Sequence, residues 1–344
     1  MLFSKRWRKP SKIIGSVRMK VLVTGAKGFI GRELCRQLAE AGDEVCGLDK
    51  KQSENPFENA KMEWVEGDIL DGDHLKEIVE RFRPEGIVHL GAKTGLKNYP
   101  ADSEYFAANT RGTDLLMEKA KESESVRRMI FASTKYVWRQ EGEPDHRQYS
   151  PTTTYGESKV LMEESIWNND GGCPEWCIVR PTTIWGPGMS PHYQRFLGFV
   201  EKGSYFHIGR RPVRKDMGYV GNMAFQLRKL LTQPKEMIHH KVFYLCDYDP
   251  VILEEWAEGF RAEFQAPAIK RMPRVVASIM AGFGDLVNSL GWRKFPFNSF
   301  RLKNLTLDDL CDPGLTKEVC GDLPFSRKEA IKETVAWFRE QQRK

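Results

Sequence analysis

Tyr155 and Lys159 stand four residues apart in "TTTYGESKVLMEE", which sets both side chains on one face of a helix. Of the tyrosines in the chain, Tyr155 alone has a lysine four positions later. A phenol titrates near pKa 10 and is a poor base at neutral pH, so an ammonium group nearby is needed to stabilise the phenolate. Such a pair can take a proton from a hydroxyl group while hydride leaves the same carbon. The spacing also occurs in ordinary surface pairs, so it needs company to carry meaning.

A glycine turn supplies it. "VTGAKGFIG" places Gly25, Gly28 and Gly31 three residues apart, directly after the apolar run Val21-Leu22-Val23. A strand that turns through glycines into a helix aims free N–H groups at a phosphate. Asp49 ends the next apolar run, where a carboxylate binds both hydroxyls of a ribose. The same carboxylate repels a 2′-phosphate, so NAD is favoured over NADP, a preference that Lys50 and Lys51 soften. The glycines are read as a dinucleotide site.

The elements that position these groups follow from alternating patterns. Short apolar runs at 20–25, 44–49, 62–68, 86–91, 128–134 and 176–182 predict strands. Amphipathic stretches such as "GRELCRQLAEAG" lie between them. This order predicts an α/β fold, a doubly wound parallel sheet (Rossmann fold) with helices on both faces. Residues 19–182 are expected to form the NAD-binding domain and 183–344 mainly a smaller substrate-binding region. Residues 217–247 are expected to return to the sheet through the strand "KVFYLCD".

At 344 residues the chain can bury a large core. Its net charge of +6 resides in a leader, residues 1–18, where Lys5, Arg6, Arg8, Lys9, Lys12 and Arg18 meet no acid. The remainder is neutral, so no nucleic-acid surface is expected. The leader reads as a disordered tail, with attraction to anionic lipid as the alternative. It has no long apolar run of a secretory signal. Seven scattered cysteines suit a reducing cytoplasm rather than a disulfide framework. Cys173 and Cys177 have no matching ligand cluster, so no metal is expected. Residues 275–290, "VVASIMAGFGDLVNSL", are too short to span a membrane. They are expected to form a helix packed on its own domain, with weak interfacial contact as the alternative.

From about Met19 to the C-terminus the sequence resembles the extended short-chain dehydrogenase/reductase superfamily, in its NAD-dependent epimerase/dehydratase group. Besides the glycine turn, the likeness rests on "GDILD" (67–71), "HLGAKTG" (89–95), "NTRGTDLLMEKA" (109–120), "RPTTIWGPG" (180–188) and "RKDMGYVGN" (214–222). The resemblance implies that Phe29 and Ile30 join the glycines at the cofactor, and that Asp68 and Ile69 meet the adenine. It implies further that Leu90, Gly91, Ala92 and Pro181 lie beside NAD, and that Lys159 holds the nicotinamide ribose. Thr134 takes the Ser/Thr position that bonds the reacting oxygen, completing a catalytic set with Tyr155 and Lys159. Thr94, Thr183, Arg214 and Lys215 fall at substrate positions.

Departures from the family pattern narrow the reaction. Lys135 and Tyr136 replace the Asp-Glu pair of dehydratases, and Tyr136 replaces the Glu of decarboxylating relatives. Thr183 and Lys215 stand where many nucleotide-sugar members have Asn and Arg, although Arg210, Arg211 and Arg214 keep the loop basic. The leading expectation is a sugar-nucleotide epimerase working at C4 through a 4-keto intermediate. The alternatives are a keto-sugar reductase or a dehydrogenase of a sterol-like alcohol, and then a non-catalytic NAD-binding protein. The resemblance also implies a homodimer.

Overall fold

The computed structural model describes residues 18–50, 62–95, 99–138, 145–290 and 297–343. The leader up to residue 17 and Lys51 lie outside them. The chain divides into two compact units. The first runs to Thr182 and adds Val220–Cys246 and Asp312–Pro324; the second holds Thr183–Tyr219, Asp247–Cys311 and Phe325–Lys344.

In the first unit the apolar runs form β1 (Lys20–Thr24), β2 (Glu44–Asp49), β3 (Met62–Glu66), β4 (Gly86–His89), β5 (Arg128–Ala132), β6 (Glu175–Pro181) and β11 (Lys241–Leu245). All are parallel, in the order β11-β6-β5-β4-β1-β2-β3. Val21, Leu22, Val23, Ile87, Val88 and Ile130 are fully buried, as strands covered on both faces require. The covering helices are α1 (Phe29–Ala41), α2 (Gly72–Phe82), α3 (Arg111–Lys121), α4 (Thr154–Asn168), α6 (Val220–Thr232), the single turn α7 (Lys235–Ile238) and α11 (Gly314–Cys320). Sequence order reverses between β1 and β4, the switch point at which such sheets open a crevice for ligand. α11 was not anticipated in this unit. Thr316 Oγ1 donates to the carbonyl of Tyr244 in β11 at 2.8 Å, and Cys320 packs at Gln226 of α6.

The second unit contains β7 (Thr183–Trp185), β8 (Phe206–Ile208), β9 (Arg214–Lys215), β10 (Met217–Tyr219), β12 (Val251–Ile252) and β13 (Lys270–Met272), paired two by two. Its helices are α5 (Pro191–Glu201), α8 (Leu253–Phe264), α9 (Arg274–Ser289), α10 (Ser299–Thr306) and α12 (Arg327–Gln342). Trp185, Trp256 and Phe260 meet edge to face there, and Phe196 stacks flat on Trp256.

The helix expected over 275–290 is present as α9, and it packs on its unit through small residues rather than through its bulky apolar ones. Ala277, Ala281 and Gly284 point inward, while Val275, Ile279, Phe283 and Leu286 are exposed. Small residues allow α9 to lie close against its unit, which leaves the bulky stripe outside. Among the described residues no helix is long and apolar enough to cross a membrane.

Candidate active site

The glycine turn sits at the switch point of the sheet. Gly25 has φ +67°, and a Cβ there would come within 2.7 Å of the backbone of Leu90 and Gly91 after β4. A Cβ on Gly31 would approach the Gly25 carbonyl to 2.3 Å, which explains why α1 starts so close to β1. Gly28 caps α1 without a side-chain acceptor, leaving the N–H groups at the helix start directed outward, with Phe29 and Ile30 half-buried beside them. Backbone, open N–H groups and a positive helix end suit a diphosphate.

Asp49, at the C-terminal end of β2, faces this turn, and its carboxylate accepts from the Lys27 N–H at 3.0 Å. Lys50 is engaged elsewhere: its Nζ lies 2.5 Å from Asp68 Oδ2. Partial burial pushes the Asp68 carboxyl up, but the bonds from Lys50 and the Leu70 N–H outweigh it and hold the group below its ordinary range. Ile69 is buried next to it, packed where Gly112 of α3 has no Cβ. Leu90 donates its N–H to the Thr24 carbonyl, and Gly91 donates to Thr24 Oγ1. Ala92 is half-buried and Thr94 exposed on the loop that follows. Pro181 ends β6, at the C-terminal end of the parallel strands where the glycine turn also lies.

Tyr155 lies in the first turn of α4. Thr153 starts that helix by accepting the Gly156 N–H at 3.0 Å. Glycine is required at 156 because a Cβ would stand 2.7 Å from the Tyr136 carbonyl. Burial raises the Tyr155 phenol to about 12, partly offset by the hydrogen bond that Thr134 donates to its oxygen; nearby Tyr136 adds to the rise. Thr134, just past β5, also accepts the Tyr136 N–H at 3.3 Å. Lys159 is buried one turn below Tyr155 and donates to the Ala132 carbonyl at 2.8 Å. Burial pulls its ammonium down to about 7, with Glu163 acting in the opposite sense.

Sequence reasoning gave no role to the polar groups behind this pair. His89 is wholly buried between Thr24 Oγ1 at 2.7 Å and Thr113 Oγ1 at 3.1 Å. The Thr113 hydroxyl proton goes to the Asn109 carbonyl, so Thr113 accepts from His89 Nε2–H and His89 Nδ1 accepts from Thr24. Burial, followed by the Lys159 charge, lowers the imidazole to about 3, which keeps this neutral tautomer. Asn109 holds both backbone groups of Lys93 and donates to Ser158 Oγ at 2.9 Å. It thereby ties the loop after β4 to α4. His89 and Asn109 open two of the segments on which the family likeness rests, but no spacing in the sequence gives their partners.

In the second unit the register sets Thr183 of β7 opposite Met217, two residues beyond Lys215. Arg214 and Lys215 form β9. The Arg214 N–H and guanidinium and the Arg211 guanidinium all meet the Asp308 carboxylate, at 2.9, 3.4 and 3.3 Å. That N–H, together with the two guanidiniums, holds Asp308 below the usual carboxylate range.

No metal was expected, yet Asp170, His239 and His240 converge before the N-terminal ends of β6 and β11. Each already serves β6. Trp176 donates its backbone N–H to His239 and its indole N–H to Asp170, which also pairs with His240.

The model of the NAD dependent epimerase/dehydratase family matches residues 21–246. A 3-beta-hydroxysteroid dehydrogenase of Mycolicibacterium neoaurum is 26% identical, covering 93% of this chain and 91% of that protein. The N-acetyl-alpha-D-glucosaminyl-diphospho-ditrans,octacis-undecaprenol 4-epimerase of Escherichia coli O157:H7 is 29% identical, over 82% of this chain and 84% of its own length. Among solved structures, a UDP-glucuronic acid 4-epimerase from Bacillus cereus, in complex with UDP-glucuronic acid and NAD, superposes with a TM-score of 0.72. It is 18% identical and covers 94% of this chain and all of that one, so the likeness is one of fold.

Proposed function

The chain belongs to the NAD dependent epimerase/dehydratase family, and from that premise we propose that it exchanges hydride with a secondary carbinol carbon, Tyr155 serving as acid and base. The observation that carries this reading is the Tyr155 phenol, bonded to Thr134 at the start of α4 with Lys159 one turn below. When bound, NAD supplies the hydride acceptor and a positive ring that favours phenolate. The glycine turn and the start of α1 would hold its diphosphate, and Asp49 its ribose hydroxyls. Asp68, Ile69, Leu90, Gly91, Ala92 and Pro181 would line the remainder. Tyr155 rests as the phenol, the form that hands a proton to a carbonyl oxygen. As phenolate it would take the proton back, while Thr134 keeps the oxygen in place.

Within that chemistry we place 4-epimerisation of a nucleotide sugar first, with Thr94, Thr183, Arg214 and Lys215 toward the substrate. The 4-epimerase relative supports it. One observation favours a second reading, net oxidation or reduction of an uncharged alcohol or ketone. Arg211 and Arg214 share the Asp308 carboxylate, which weakens them as a diphosphate clamp. The steroid dehydrogenase relative agrees with that second reading.

The test is incubation of purified protein with UDP- and GDP-hexoses, followed by proton NMR of the products. An epimerase regenerates its cofactor, so it should carry NAD through purification and form the 4-epimer with no net absorbance change at 340 nm. Steady NADH formation or consumption with a hydroxysteroid or ketone, and none of the 4-epimer, would replace the first reading by the second. In either case NAD(H) should bind at least about tenfold more tightly than NADP(H), about 1.4 kcal/mol. Equal affinity would overturn the role given to Asp49.

A further inference from the structure

α9 inverts the usual arrangement of a surface helix. Its inward side is Ala277, Ala281 and Gly284, while Val275, Ile279, Phe283 and Leu286 are 71, 69, 57 and 56% exposed. These four recur at spacings of four, four and three, which lines them along one stripe. Leu290, just past the helix, is 77% exposed, and Phe300 of α10 is 50% exposed. α10 is fastened to α9 by the Ser299 N–H, which donates to both oxygens of Asp285. Water therefore meets a row of bulky apolar side chains along one helix rather than single, scattered ones.

The charges around the strip say what can cover it. Among the described residues from 265 to 307, Lys270, Arg271, Arg274, Arg301 and Lys303 are basic and Asp285 alone is acidic. Asp285 is occupied with Ser299, and Arg271 is paired with Glu254. Lys270, Arg274 and Lys303 remain on the surface as unopposed positive charge. A second copy of the same face would set these cations against one another. α9 has 16 residues and is about 24 Å long, short of the roughly 30 Å of a bilayer core.

We propose that the α9–α10 face docks on the surface of an anionic phospholipid membrane. α9 lies in the interface plane with Val275, Ile279, Phe283, Leu286 and Phe300 among the acyl-chain ends, and Lys270, Arg274 and Lys303 at the headgroups. Bulky apolar residues on one side and basic residues at the margins are the two attractions that hold a helix at such an interface. The basic leader is a separate source of attraction in the same chain, so the test must separate the two.

The experiment is sedimentation of the full chain with vesicles of phosphatidylglycerol and phosphatidylcholine, compared with phosphatidylcholine alone. The chain should sediment with the anionic vesicles, less so in high salt. The double variant Ile279→Glu/Phe283→Glu should lower the bound fraction at least about tenfold while its circular dichroism stays unchanged. No sedimentation with anionic vesicles overturns the proposal. So does equal binding by the double variant, which would assign binding to the leader. Light scattering without lipid supplies the third arm: a wild-type dimer that the double variant turns into a monomer would assign the face to a second copy.

Discussion

α4 and α9 are helices of 15 and 16 residues that treat their polar and apolar groups in opposite ways. α4 buries Ser158, Lys159 and Glu163 inside the first unit. α9 turns Val275, Ile279, Phe283 and Leu286 out into water from the second. Every buried charge on α4 has a partner. Glu163 takes two bonds from Arg180, at 3.0 and 2.6 Å, and Arg180 also reaches the Tyr244 hydroxyl and the His146 carbonyl. Lys159 donates to the Ala132 carbonyl. The α9 stripe is more than half exposed along its length. Both helices break the rule of apolar inside and polar outside, and such departures cluster where a protein does chemistry or meets a partner. On α4 the departure places the proposed acid–base pair; on α9 it presents a surface.

The contrast is broken most severely by removing one buried charge. Glu163→Ala leaves the Arg180 guanidinium uncompensated inside the fold and should cost about 3–5 kcal/mol in denaturant unfolding. A loss below about 1 kcal/mol would mean that water reaches the pair and that α4 is not the closed polar interior described here.

His89 tests the same interior through pH. Its folded-state value, about 3, lies below the ordinary value of 6.5, so the folded chain stays neutral where the unfolded chain takes up a proton. Stability should therefore fall as pH drops from about 6.5 toward 3, by up to about 1.4 kcal/mol per pH unit from this group. His89→Gln should flatten that slope, measured as the difference in unfolding free energy between pH 6 and pH 5. An unchanged slope would show that protons reach the imidazole in the native state.

α9 should give the smallest effect of all on stability. Ile279→Glu/Phe283→Glu changes side chains that are 69 and 57% exposed, so unfolding free energy should move by no more than about 0.5 kcal/mol. A loss of several kcal/mol would show that the stripe packs against something in the free chain.

These two helices were not equally legible in the sequence. The spacing of Tyr155 and Lys159 and the glycine turn stood out because their chemistry demands fixed intervals. The parallel strands were legible as apolar runs such as Val21-Leu22-Val23. The roles of His89 and Asn109 were not, since their partners Thr24, Thr113 and Ser158 come from distant parts of the chain. α9 was legible as a helix, but periodicity cannot say which of two stripes faces inward. Its small stripe packs closely enough to serve as the interior side. The docking of α11 on β11 and α6 was hidden for a similar reason, because a local helical pattern carries no address.

The central claim, that Tyr155 moves the proton while the fold holds the cofactor separately, is tested most directly by Tyr155→Phe. Its turnover on the substrate identified by NMR should be compared with its NAD affinity by calorimetry. The account predicts turnover lowered by about a hundredfold or more, the scale of a lost general acid–base, with NAD affinity and folding nearly unchanged. Wild-type turnover in Tyr155→Phe would contradict it.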